Sequence, residues 1–141
     1  MKVEKIDHVH VYVKNVDKAV GLFGPLLGKD FYPVVEVPEF GARVALNPLH
    51  LEFIQPTDPK GITAKALETS GSWEEGGICI SLKVPDIEKA TAEMESKGIK
   101  VLASMQVGKL KEVAFDSAKT FGVMIELCEY PGDDITLASM G

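Results

Sequence analysis

The chain has 141 residues, 45% hydrophobic and 26% charged, enough for one core but too few for two full-sized independent domains. Fifteen basic residues against 21 acidic give a net charge of −6, which repels a phosphate backbone and sets nucleic-acid binding aside. No apolar run approaches the ~20 residues that span a bilayer. The opening Met1-Lys2-Val3-Glu4-Lys5 carries no apolar signal core. The expectation is therefore a cytoplasmic protein, away from membranes, with Cys79 and Cys128 both reduced.

Alternation over residues 5–13 predicts a strand with Val9, Val11 and Val13 on one face and His8, His10 and Tyr12 on the other. Asn15 then caps a helix near 17–27, which Gly28 closes. Strands follow near 31–37, 42–47 and 49–55. Residues 57–75 form a linker. It opens with the turn chemistry of Thr57-Asp58-Pro59-Lys60-Gly61 and continues as a short helix over 62–67. Trp73 in this linker either packs over a sheet edge or touches a ligand. A strand near 77–84, a helix near 86–97 capped by Asp86 and closed by Gly98, and strands near 99–107, 111–116 and 122–129 complete the pattern. The tail, 132–141, is expected to fray.

The second half repeats the first. Residues 8–19 align with 79–90 at an offset of 71, which sets Val9, Val11, Val13 and Val16 on Ile80, Leu82, Val84 and Ile87. Val44-Ala45-Leu46-Asn47 matches Val113-Ala114-Phe115-Asp116, and the run Leu49 to Phe53 matches Val123 to Leu127. The reading is one α+β domain over 1–141, built from two tandem βαβββ modules (about 4–56 and 76–131). Their strands form a curved mixed sheet around a cleft.

Strand parity gathers polar side chains on the face away from the helices. His8, His10 and Tyr12 fall there with Cys79, Ser81 and Lys83, and so do Glu52 and Glu126. Glu52 and Glu126 each sit inside an apolar run at the same place of the repeat. A buried carboxylate needs a partner, and a divalent ion is one. His8 is a natural co-ligand, and imidazole with carboxylate suits zinc, nickel, cobalt, manganese or iron. The alternative is a set of solvated residues on an open sheet face.

Four segments carry a resemblance to a known family. They are Ile6-Asp7-His8-Val9, Glu36-Val37-Pro38-Glu39-Phe40-Gly41, Leu51-Glu52-Phe53-Ile54-Gln55-Pro56 and Gly122-Val123-Met124-Ile125-Glu126-Leu127. With the paired modules, they resemble the vicinal oxygen chelate superfamily, which includes glyoxalase I, extradiol dioxygenases and bleomycin-resistance proteins. Within it the chain is most similar to methylmalonyl-CoA epimerase. The resemblance implies a glyoxalase-like fold and one divalent metal (Zn, Ni, Co or Mn) held by His8, Glu52, Cys79 and Glu126. Cys79 stands where the family usually has His, and a thiolate can still ligate zinc.

The implied reaction is that of a lyase or isomerase. Glu126 or Glu52 abstracts a proton next to a metal-bound carbonyl. A second carboxylate found in some epimerases falls near Val44, which cannot move protons. His10, Tyr12 and Ser81 are expected to shape a substrate pocket, with Lys109 and Lys111 reaching a CoA phosphate. Two other readings compete. One is a metal-free protein of the bleomycin-resistance type binding a small, cationic antibiotic-like ligand. The other is an oxygenase, which wants two histidines and one carboxylate. Uncovered sheet edges and the resemblance both point to a homodimer acting on a small molecule.

Overall fold

The computed structural model describes residues 1–70 and 75–139, so Trp73 lies outside the described residues. The chain divides into two compact units, His8–Cys79 and Met1–Asp7 with Ile80–Gly141. No helix among the described residues is long and apolar enough to cross a membrane.

The first unit holds β1 (Lys5–Tyr12, from His8 on), α1 (Val16–Leu27), β2 (Val35–Val37), β3 (Ala42–Leu46), β4 (Leu51–Pro56) and α2 (Ile62–Ser70). Its strands run in the order β2-β3-β4-β1. The first three are antiparallel, and β1 lies parallel to β4 with Val9 opposite Leu51, His10 opposite Glu52 and Val11 opposite Phe53. Helix α1 starts where Asn15 accepts from the Lys18 amide at 3.0 Å and ends at Gly28, whose φ of 65° suits a residue without Cβ.

Val16, Ala45 and Phe53 form the buried centre, with Val11, Val13, Val20 and Phe23 against it. Phe53 stacks on Phe31 at 5.3 Å and meets the edge of Phe23 at 5.0 Å. The strand expected over 31–37 is only Val35–Val37. Pro33 has no N–H to offer a ladder, and the Tyr32 amide bonds to Leu46 instead. At Gly41, with φ of 62°, a Cβ would come within 2.9 Å of the Gly61 Cα, so the hairpin end and the linker turn approach through two glycines.

The second unit holds β5 (Ile78–Lys83, from Ile80 on), α3 (Ile87–Ser96), β6 (Val101–Val107), β7 (Leu110–Phe115), β8 (Met124–Glu129) and α4 (Ile135–Ser139). Strand order is β5-β8-β7-β6. The head of the chain belongs here, through the Glu4 amide on the Lys83 carbonyl at 2.8 Å. Asp86 caps α3 by accepting from the Lys89 amide at 3.0 Å, with the same φ and ψ as Asn15, −143° and 98°. The repeat thus extends to the caps. The core is Val84, Ile87, Ala90, Met94, Val113, Phe115 and Leu127.

Within the tail expected to fray, Ile135–Ser139 form a helix. Asp134 accepts from the Leu137 amide, Ile135 and Ala138 are buried, and the Lys109 amide bonds to the Ala138 carbonyl, which together hold α4.

Candidate functional site

In the first unit the helix-side core takes Val11 and Phe53, so β1 presents His8, His10 and Tyr12 on the other face. All three are buried, His8 2% and His10 4% exposed. The two imidazole centroids are 4.5 Å apart, and the rings offer nitrogens within 4.8 Å of each other. The parallel register sets Glu52 beside His10, and His10 Nδ1 lies 3.0 Å from Glu52 Oε1. Cys79 is a buried thiol. Among the described residues, the donor atoms of His8, Glu52 and Cys79 do not gather within 4.8 Å of one another, whereas those of His8 and His10 do.

In the second unit Val113, Phe115 and Leu127 take the helix side, which leaves Glu112, Glu126 and Cys128 on the other. Glu112 is 2% exposed and Glu126 6%. Ala114 pairs with Glu126 and Glu112 with Cys128, so the carboxylates are diagonal neighbours, with oxygens within 4.8 Å. Ser81, fully buried, donates from Oγ to Glu126 Oε1 at 2.9 Å. Burial pushes the Cys128 thiol far above its ordinary range. The nearby charges of Asp7, Glu126 and Glu112 push the same way, against a hydrogen bond from Ser81.

Further along this face Tyr130 donates its hydroxyl to Asp7 Oδ1 at 2.5 Å. Lys83 sits over the Tyr130 ring, 3.9 Å from its centroid, and donates to the Gly132 carbonyl. Tyr130→Phe takes a donor from a carboxylate whose side chain is 0% exposed. It is expected to cost about 2 kcal/mol in urea unfolding. A loss under about 0.5 kcal/mol would mean that this bond is not formed in solution.

The residues singled out in the sequence fall as follows. His8, His10, Tyr12 and Glu52 are buried in one unit, with Cys79 at its end, and Ser81 and Glu126 are buried in the other. Lys109 is exposed. Lys111 shares the parity of Val113 and Phe115, opposite to Glu126, and pairs with Glu88 at 3.3 Å and Glu129 at 3.7 Å.

Glu112 is the residue that sequence reasoning missed, although the repeat contains it. Aligning Val44 with Val113 is one residue out. Val44 pairs with Ile54, two residues past Glu52, and Glu112 pairs with Cys128, two residues past Glu126. Glu112 is therefore the repeat counterpart of Val44. The carboxylate absent from that position in the first half is present in the second.

A family model for the Glyoxalase/Bleomycin resistance protein/Dioxygenase superfamily matches residues 7–115. The chain belongs to this superfamily. Its α+β architecture is the glyoxalase-like fold, as solved structures show. Streptomyces coelicolor methylmalonyl-CoA epimerase, in complex with 2-nitronate-propionyl-CoA, matches with a TM-score of 0.77 at 21% identity, over 94% of this chain and 99% of that one. Methylmalonyl-CoA epimerase from Mycobacterium tuberculosis matches with a TM-score of 0.74 at 22% identity, over 92% and 90%. A hypothetical protein from Bacillus halodurans C-125 matches with a TM-score of 0.74 at 18% identity, over 92% and 96%. No protein of curated function matches the sequence. His8 and His10 in the first unit are buried imidazoles, and Glu112 and Glu126 in the second are buried carboxylates, both donor types that hold divalent metals.

Proposed function

We propose that this superfamily member is a metal-dependent isomerase or lyase that moves a proton next to the carbonyl of a small carbonyl compound or thioester. The observation that carries the reading is Glu126, a carboxylate buried in an apolar strand and oriented by the Ser81 hydroxyl. Such a group is set up to accept a proton rather than to be solvated. The donors fit a metal by their chemistry. The buried imidazoles of the first unit and, separately, the buried carboxylates of the second are donor types that suit zinc, nickel, cobalt or manganese. A bound ion would polarise the substrate carbonyl and so acidify the adjacent C–H.

The chain's own residues do the rest. Ser81 fixes one oxygen of Glu126, so that the carboxylate meets the substrate carbon in one orientation. Glu126 takes the proton and gives it back to the same or a neighbouring carbon. Glu126 is only 6% exposed, which limits competition from bulk water for the proton. Methylmalonyl-CoA is a rational first substrate because the epimerases share the fold, and a glutathione hemithioacetal is the second.

Equilibrium dialysis of chelator-treated protein against zinc, cobalt, nickel and manganese tests the metal half of the reading. One ion per chain is expected. Failure to bind any of the four contradicts it and favours a metal-free binder of small ligands. A preference for iron(II), with oxygen uptake, would favour an oxygenase, since two imidazoles and a carboxylate also suit that chemistry.

A further inference from the structure

We propose that β6 is a dimerisation edge, pairing antiparallel with β6 of a second copy of this chain about a two-fold axis at Met105. The outer strands are β2 in the first unit and β6 in the second, and they are built differently. Strand β2 is three residues long, with Glu36 at its centre and Pro33 and Pro38 close on either side. Short length, charge and proline are the devices that keep an edge from pairing. Strand β6 is seven residues long, and no residue between Lys100 and Lys109 is charged or proline. Among the described residues no strand lies on its outer side.

The backbone of β6 dictates what such an edge takes. Val107 pairs with Leu110 across the two-residue turn Gly108-Lys109, and a turn of this length closes on a hydrogen-bonded pair. Val107 and, by alternation, Met105 and Ala103 therefore turn amide and carbonyl toward β7. Ser104 and Gln106 turn theirs outward, and both residues are exposed. The register slips between Val101 and Ala103, so the regular edge is Ala103–Val107.

Laid antiparallel on its own copy with Met105 at the centre, this stretch sets Ser104 of each chain opposite Gln106 of the other. Each such pair exchanges its outward amide and carbonyl. Ala103 meets Val107, and half-buried Met105 meets the same residue of the second copy. No like charges face each other along this stretch, although the chain carries a net −6. Because β2 is blocked, the second copy pairs through β6 as well. That contact is isologous, so it closes as a dimer and does not polymerise.

Sedimentation of the full chain tests the proposal. One short ladder is a small interface, so the parent should dissociate at about 1–100 μM, with twice the chain mass above that range and the chain mass below it. Ser104→Lys with Gln106→Lys sets lysine against lysine and should weaken the dimer about tenfold. Ser104→Glu with Gln106→Glu should do the same. An equal mixture of the two double variants sets lysine against glutamate and should dimerise again, less so in high salt. In the parent, amide exchange at Ser104 and Gln106 should slow as concentration rises through the dissociation range. This needs no variant to fold. A parent that is monomeric at about 100 μM leaves the edge to a foreign strand and overturns the proposal. A dimer that the lysine double variant leaves unchanged overturns it too, as does exchange at Ser104 and Gln106 that ignores concentration.

Discussion

Glu126→Gln is expected to lower proton exchange at the substrate carbon by about 10²-fold or more, with the fold retained. The amide matches the carboxylate in shape, and its oxygen can still accept the Ser81 hydroxyl at the position of Oε1. It cannot take a proton at neutral pH. The loss should therefore fall on turnover, while the circular dichroism spectrum and the urea midpoint stay close to those of the parent. Exchange within about threefold of the parent would remove Glu126 from the chemistry, because general-base catalysis by a side chain contributes far more than that.

Phe53→Ala is the substitution expected to cost most in stability. Its ring is 1% exposed, between Phe31 and Phe23, at the centre of the first unit's core. Truncation removes the buried ring area and leaves a cavity that strands β3 and β4 cannot close, for a loss of about 3–5 kcal/mol. Since small domains are stable by about 5–15 kcal/mol, the variant should unfold at a much lower urea concentration or fail to fold at all. A shift of less than about 1 kcal/mol would show that the core is not centred on this ring.

Much of this was legible in the chain itself. Period-two alternation placed β1 and β5, and the faces it assigned hold: His8, His10, Glu52, Ser81 and Glu126 all stand opposite the helix-side core. Asn15 and Asp86 marked the helix starts because an Asx cap is a local signal with a local cause. What was not legible depends on register. That His10 lies against Glu52 follows from the parallel pairing of β1 with β4, which joins positions 42 residues apart and leaves no trace in either segment alone. Glu112 escaped because a one-residue error in aligning the repeat moves a side chain to the opposite face of a strand. The short β2 and helix α4 escaped for a different reason. Pro33 cancelled a ladder bond inside an otherwise strand-like run, and the backbone contact of Lys109 with Ala138 anchors α4 from a distant hairpin.

The most direct measurement is deuterium incorporation from heavy water into the α-carbon of methylmalonyl-CoA and into a glutathione hemithioacetal. It is followed by NMR with metal-loaded protein, chelator-stripped protein and metal-loaded Glu126→Gln. A metal-dependent proton-transfer enzyme predicts exchange of at least one of the two compounds by the loaded parent, and none above background by the stripped protein or the variant. Loaded, folded parent that exchanges neither compound, or stripped protein that exchanges as fast as loaded, would contradict it.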